Sequence, residues 1–198
     1  GIGDKHVPWI HNVRNTDAVT AIDDEQCMRL FRLFNEREGL KFLGRHDVPA
    51  SLIERLSWLG ISSIANILSS IKAAKYFEWN EDDIIFTVAT DSAGLYRSRI
   101  KEQREQRGAY TPMQAACDFD ACLLAATTDA MKELSHLDRK AIHNLKYFTW
   151  VEQQGKEIGE LNRLWNDHDF WPAMFRQPET WDELITEFNA RTGVLRRV

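Results

Sequence analysis

The sequence contains no long apolar run. No stretch approaches the roughly 20 consecutive apolar residues that a membrane-spanning helix needs. Asp4, Lys5 and His6 stand near the start of the chain, where the hydrophobic part of a signal peptide would be expected. We therefore expect a cytoplasmic protein that has no membrane partner.

The signatures of several common catalytic sites are also missing. None of the six histidines belongs to an HExxH motif, so no metal site is predicted. There is neither a GxSxG motif nor a phosphate-binding P-loop, and this excludes the usual serine hydrolases and P-loop NTPases. The cysteines match no CxxC pair or disulfide framework, so we expect reduced, mostly buried thiols at Cys27, Cys117 and Cys122.

Positive charge is in the minority and is not gathered in one place. The formal net charge is -5, and the Lys and Arg residues are scattered among Asp and Glu. A nucleic-acid-binding domain normally carries a basic patch or stripe, so a nucleic-acid partner is not expected. The chain has 198 residues, 43% of them hydrophobic, which is enough to fill the core of one domain or somewhat more.

The first part of the chain begins with a strand-like segment followed by a helical pattern. Residues 17–24 predict a short strand with an acidic end. Apolar residues then recur with helical spacing from Cys27, and Gly39 is predicted to stop that helix. Asp23 or Asp24 is the expected N-cap.

A second helix and an apolar run follow. Ser62 or Ser63 is the predicted N-cap of the helix, and Ile84–Ala89 has the β-branched and aromatic composition of a buried strand. Helix, turn and buried strand in this order indicate an α/β fold. Asp91 and Ser92 directly follow the run, and ligands of α/β sheets bind beyond the carboxyl ends of the strands. Alternatively, one of the two residues merely caps the next helix.

The second part of the chain is predicted to be helical. We place a boundary near Gly108, at the end of a charged helix. Thr111, followed by Pro112 at the first helical position, is typical of a helix start. The tail has no internal repeat, and it is aromatic enough to pack rather than remain disordered.

Three short segments in the first part resemble, in order, motifs of a known enzyme family. The segments are "GIGDKHVP", "GISSIAN" and "ATDSAGLY", which contain Gly1, Gly3, Pro8, Gly60, Ser62, Ser63, Asp91, Ser92 and Tyr96. They resemble the C-terminal part of the fold-type-II pyridoxal-phosphate enzymes, which include cysteine synthase and cystathionine β-synthase. The resemblance implies that residues 1–108 are the C-terminal part of a parallel-sheet α/β domain and residues 109–198 a helical extension.

The resemblance also implies a cofactor, pyridoxal 5'-phosphate, and roles for individual residues. Ser92 would donate a hydrogen bond to the pyridine nitrogen, and such a neutral donor suits β-elimination or β-replacement on an amino-acid substrate. If Asp91 met the ring instead, the nitrogen would be protonated and the preferred chemistry would change. The glycines Gly1 and Gly3 would allow close approach of the backbone to the cofactor, and the substrate side would be lined by Ser62 and Ser63.

The sequence departs from the family pattern in three respects. Ile64 replaces the last glycine of the family's GISSG segment, and residues 40–59 form an insertion. None of the nine lysines lies in the motif that attaches the cofactor. We therefore expect a chain that is inactive alone and works with a missing N-terminal half or a second subunit, as a homo-oligomer such as a dimer.

Two alternatives stay open at this stage. The chain could be a non-catalytic binding or assembly module that retains the α/β half-domain. Within the enzyme class, a dehydratase or a threonine-synthase-like activity fits the same motifs, because the half that selects the substrate is not in this sequence.

Overall fold

A computed structural model describes residues 6–194 as two compact units. Among these residues the first unit is Ala18–Glu133, and the second consists of residues 6–17 together with residues 134–194. Gly108, the predicted boundary, lies within the first unit. In the described part of the chain, no helix has both the length and the apolar character needed to cross a lipid bilayer.

The first unit is built mainly of helices. They are α1 (Asp24–Asn35), α2 (Arg37–Gly44), α3 (Ala50–Ile53), α4 (Ile61–Tyr76), α5 (Arg97–Arg107) and α6 (Pro112–Phe119). Short 3-10 helices span Leu56–Trp58 and Ala93–Tyr96, and a π-helical turn at Asp120–Leu124 extends α6. The predicted caps are confirmed at two helices: Asp23 caps α1, and Thr111 forms a capping box before Pro112.

The predicted fold class, part of a parallel-sheet α/β domain, is wrong. The described residues contain one two-stranded sheet, in which β1 (Ala18–Thr20) pairs antiparallel with β2 (Met131–Glu133). The strand predicted within residues 17–24 is therefore present, but the one predicted at Ile84–Ala89 is not. The physical reason is that a strand needs a neighbouring strand for its backbone hydrogen bonds, and no strand among residues 6–194 lies beside this apolar run.

Residues 84–90, which we call the extended segment, run without regular secondary structure. Within the described part of the chain, their backbone makes a single hydrogen bond, in which Asn66 donates to the carbonyl of Val88 at 2.9 Å. The side chains of Ile84, Phe86 and Val88 are 95%, 91% and 56% exposed. The extended segment therefore leaves a row of apolar side chains and unpaired backbone groups accessible.

The core of the first unit is centred on α1. Its apolar residues recur at helical spacing and are buried at Cys27, Leu30, Phe31 and Phe34. They pack with residues of α2, α4 and α6, including Leu43, Ile64, Leu68 and Ala115.

Gly39 does not stop α1 as predicted. The helix already ends at Asn35, and Gly39 lies buried inside α2. A Cβ atom at Gly39 would lie only 2.2 Å from the carbonyl oxygen of Leu33. The glycine is therefore required by the close approach of the two helix backbones.

The second unit contains the three remaining helices, α7 (His136–Lys146), α8 (Ile158–Asn166) and α9 (Phe170–Thr192). A π-helical turn at Tyr147–Val151 continues α7, and a 3-10 turn at Val13–Asn15 contacts it. The ammonium group of Lys146 is fully buried and donates to the carbonyl oxygens of Trp9 at 2.9 Å and His11 at 2.6 Å. This lysine thus holds the N-terminal segment against α7.

Candidate functional site

The carboxylate of Asp91 lies at the N-terminus of α4. It accepts hydrogen bonds from the backbone N–H groups of Ser62 at 3.0 Å and Ser63 at 2.9 Å. The hydroxyl groups of Ser63 and Tyr96 also donate to it, each at 2.7 Å. Asp91 therefore caps a helix that begins about 30 residues earlier in the chain, because Gly60, the N-cap residue of α4, has no side chain that could do so.

The backbone also approaches Asp91 closely. Gly60 donates its N–H to the Asp91 carbonyl oxygen at 3.0 Å, and a Cβ atom at Gly60 would lie 2.4 Å from the Asp91 carboxyl carbon. Only glycine leaves room for the carboxylate here. The predicted N-cap, Ser62 or Ser63, is accordingly wrong by two or three residues.

The pKa of Asp91 reflects these contacts. Burial by itself would raise it, but the hydrogen bonds from Ser63, Tyr96 and the backbone of Ser62 outweigh burial and lower the pKa of Asp91 below its usual range. The same contact raises the pKa of the Tyr96 hydroxyl. Asp91 is therefore ionised at neutral pH, and its negative charge faces the positive end of the α4 dipole.

Ser92 faces a different environment from its neighbour. It lines a cavity of about 460 Å³ together with Phe31, Asn35, Ser57, Trp58, Ala93, Gly94, Arg97 and Ile100. No hydrogen bond to the Ser92 hydroxyl is found within residues 6–194. A Cβ atom at Gly94 would lie 3.5 Å from the Ser92 oxygen, so the hydroxyl lies beside another residue of the cavity wall.

The cavity combines one exposed aromatic ring, that of Trp58, with a few polar groups. Phe31 and Trp58 supply aromatic rings, and Asn35 supplies an amide. The guanidinium of Arg97 has no carboxylate within 4.0 Å in the described structure, so its charge is available to an anionic ligand group. Such a mixture is typical of small-molecule sites.

The residues predicted from the sequence separate into two groups. Asp91, Ser62 and Ser63 come together at the α4 N-terminus, where Ser63 is only 1% exposed and its hydroxyl is bonded to Asp91. Ser92 lies apart from them in the cavity wall. Gly1 and Gly3 lie outside the described residues.

The cavity holds one group that would suit pyridoxal phosphate and lacks another that this cofactor needs. The Ser92 hydroxyl, which has no partner among the described residues, is a suitable donor for a pyridine nitrogen. The Asp91 carboxylate, in contrast, already accepts from four donors at 2.7 to 3.0 Å and from the Thr90 hydroxyl at 3.5 Å. None of the lysines lines the cavity, so the group that would attach the cofactor has to come from elsewhere.

Sequence reasoning missed most of the cavity wall. Asn35 and Phe31 lie four residues apart and therefore on one face of α1. This spacing is a sequence signal that could have placed the two residues together. Ser57, Trp58 and Arg97 belong to other elements, and only the tertiary structure brings them to Ser92.

Neither a metal-binding cluster among residues 6–194 nor a relative points to a function. In the portion that the structure describes, no group of three or more His, Cys, Asp or Glu side chains could hold a metal ion. No protein-family model, no curated protein and no solved structure matches the chain.

Proposed function

We propose that this chain is the C-terminal portion or a subunit of a pyridoxal-phosphate-dependent lyase or synthase. Its substrate class would be an amino acid that undergoes β-elimination or β-replacement, as in the cysteine synthases that the sequence resembles. The observation that carries the proposal is the contrast between two adjacent residues. Among the described residues the hydroxyl of Ser92 has no partner and lines a cavity, whereas the carboxylate of Asp91 is held at the α4 N-terminus.

The contrast supports Ser92, rather than Asp91, as the residue that a pyridine ring would meet. A serine hydroxyl is neutral, so it hydrogen-bonds the ring nitrogen without protonating it. A carboxylate in the same place would favour the protonated ring. When bound, the cofactor supplies an electron sink for the substrate, and a neutral hydroxyl partner at its nitrogen makes that sink weaker, which suits β-elimination and β-replacement.

The other cavity residues would bind and orient the ligand. Arg97 is the cationic group of the wall and would attract an anionic group, and Asn35 offers both a donor and an acceptor. The exposed ring of Trp58 would cover one face of a flat ligand and keep water away from it, whereas the Phe31 ring is fully buried.

The proposal requires a second polypeptide segment that provides the attaching lysine. The extended segment supports this requirement, because exposed Ile84, Phe86 and Val88 side chains and unpaired backbone groups are suited to pairing with another strand. Backbone hydrogen bonds to such a strand would satisfy the groups that the described residues leave open. We therefore expect the working protein to be a longer chain or a complex.

The test is reduction of the protein from its native source with borohydride, followed by peptide mapping. We expect a phosphopyridoxyl-lysine in a peptide outside residues 1–198, on the same or on a second polypeptide. A labelled lysine within residues 1–198 would contradict the requirement for another segment. Absence of any label, together with a colourless protein, would contradict the cofactor itself.

The role of Ser92 is tested in the same complete protein. Ser92→Ala should weaken cofactor binding or turnover about tenfold or more, since one hydrogen bond to a ring atom is lost. Ser92→Thr keeps the hydroxyl and should retain most of the activity. Ser98→Ala removes an exposed hydroxyl from α5 and serves as the control. Equal cofactor spectra and rates for all three variants would refute the assignment.

A second candidate function is a non-catalytic binding or assembly module. It is favoured by α9, a helix without any buried residue, on which Phe175, Trp181 and Phe188 are 77%, 50% and 60% exposed. Limited proteolysis distinguishes the two candidates. A native protein that is colourless and has a tail protected only in a complex would support the module.

A further inference from the structure

The second unit contains a polar cavity that the proposed function does not use. Its volume is about 400 Å³, and it is lined by Arg14, His136, Arg139, Trp165, Asn166 and His168. All six residues belong to the second unit. The wall contains two guanidinium groups and two imidazole rings but no carboxylate, although the whole chain has a net charge of -5.

Arg14 is fixed in the wall by neutral partners. Its guanidinium donates to the carbonyl oxygen of Trp165 at 3.1 Å and to Nδ1 of His168 at 3.0 Å. Across the described residues it has no carboxylate within 4.0 Å. The positive charge of Arg14 is therefore oriented but not neutralised.

The contact with Arg14 also determines which nitrogen of His168 can donate. A guanidinium only donates hydrogen bonds, so Nδ1 of His168 is the acceptor in this pair. The proton of a neutral His168 ring then lies on Nε2. The ring thereby presents a second donor beside the guanidinium.

Arg139 adds a donor that is buried and unsatisfied. One terminal nitrogen donates to the exposed carboxylate of Asp17 at 2.8 Å, and another lies 3.4 Å from the carbonyl oxygen of Arg14. The Nε atom of Arg139 is buried and has no hydrogen-bond partner among the described residues. Because that atom has almost no accessible surface, Arg139 would contribute to anion binding through its charge and its terminal nitrogens.

The aromatic part of the wall is Trp165. The ammonium group of Lys140 lies over its ring, 4.6 Å from the centroid, and His136 contacts it edge-on at 5.5 Å between centroids. Lys140 adds a third cation close to the cavity. The cavity is larger than a single oxyanion, and the indole offers an apolar surface to the remainder of a ligand.

We propose that this cavity binds the oxyanion group of a small metabolite, either a phosphate ester or a carboxylate. Guanidinium groups match both anions in geometry and charge, and a partly enclosed site strengthens the attraction. The proposal rests on residues of the second unit alone. It is independent of the cofactor assignment, and either proposal can fail without the other.

Isothermal titration of the purified full chain with inorganic phosphate and with acetate tests the site. We expect at least one of the two anions to bind the wild-type chain. Arg14→Gln should weaken binding about tenfold or more, because a charged hydrogen-bonding partner is lost. Arg191→Gln makes the same change of charge on α9, at a side chain that is 78% exposed, and should change binding less than about twofold.

The relative strength of the two anions identifies the ligand class. Tighter binding of phosphate indicates a phosphate ester, and tighter binding of acetate indicates a carboxylate. No binding of either anion, or equal effects of Arg14→Gln and Arg191→Gln, would overturn the proposal. If Arg14→Gln fails to fold by circular dichroism, Arg14→Lys is used instead, since it keeps the charge but loses the planar fork. Binding by Arg14→Lys that equals the wild type would then count against the site.

Discussion

Replacing Asp91 with asparagine is the sharpest test of the helix-capping arrangement. The substitution keeps the size of the side chain but removes its charge and half of its acceptor capacity. In the native chain the carboxylate accepts from the backbone N–H groups of Ser62 and Ser63 and from two hydroxyl groups. An amide would turn its NH₂ group toward some of these donors.

The magnitude follows from the contacts that are lost. Loss of a side-chain cap costs about 1 kcal/mol, and loss of a negative charge at a helix N-terminus costs about 0.3 to 1 kcal/mol. We therefore expect Asp91→Asn to lower the free energy of unfolding by about 1 to 2 kcal/mol at pH 7. Asp91→Ala leaves more donors unsatisfied and should cost about 2 to 4 kcal/mol.

The effect should depend on pH in a defined direction. The pKa of Asp91 is lowered in the folded protein, so its contribution is complete above the pKa of the unfolded chain and is lost as the pH falls through the folded value. The difference between wild type and Asp91→Asn should therefore be full at pH 7 and begin to shrink below about pH 4.

Urea unfolding followed by circular dichroism measures the global effect, and hydrogen exchange at the Ser62 and Ser63 amides measures the local one. Both amides should exchange faster in Asp91→Asn. Asp82→Asn, in an exposed turn, provides the control for a lost charge. The reasoning is refuted if the two variants have the same stability and the same exchange rates.

Two further predictions concern other residues. Gly60→Ala should destabilise the chain by about 1 to 3 kcal/mol, because its Cβ would collide with the Asp91 carboxylate. Gly159→Ala is the control: a Cβ atom at this position inside α8 would meet no atom within 4 Å, so the substitution should stabilise the chain slightly. The midpoints of urea unfolding compare the two variants. Burial lowers the pKa of Lys146 to about 8 in the folded chain. Between about pH 8 and 10.5 the unfolded chain therefore binds one more proton than the folded chain, and the free energy of unfolding should rise with pH. Lys146→Met should lack this rise, and an equal pH dependence of stability in both proteins would contradict the prediction.

The sequence predicted some local features of the fold and missed others. The apolar spacing of α1 and its Asp23 cap are confirmed, as is the Thr111 capping box, because these interactions join residues only a few positions apart. Gly39 was misread because its role is a contact with Leu33 in the preceding helix. Backbone approaches of this kind leave no periodic trace in the sequence.

The extended segment explains why the fold class was not predictable. Its composition is that of a buried strand, yet in the structure Ile84 and Phe86 are almost fully exposed. Composition reports how well side chains would fit a sheet, but it does not report whether another strand lies alongside. The prediction of a parallel sheet therefore depended on neighbours that the described residues do not provide.

The sequence indicated that Asp91 and Ser92 would face different surroundings, but it did not indicate the residues around Ser92. Side chains of adjacent residues on an extended backbone point in opposite directions, so Asp91 and Ser92 are expected to contact different surroundings. Which of the two would meet the cavity depended on the position of α4, a tertiary feature. Trp58 and Arg97 reach the same cavity from elements far apart in sequence, so no local motif contains them.

The extended segment also has a consequence for the behaviour of the chain in solution. A short run with high β-propensity, no proline and an open edge is a hazard for amyloid-like association with other copies. Three acidic residues, Glu81, Asp82 and Asp83, directly precede the run, and charges in that position act as gatekeepers against aggregation. Colloidal stability of the separate chain then depends on repulsion between these acids, and it should decline as salt screens them or as acid protonates them.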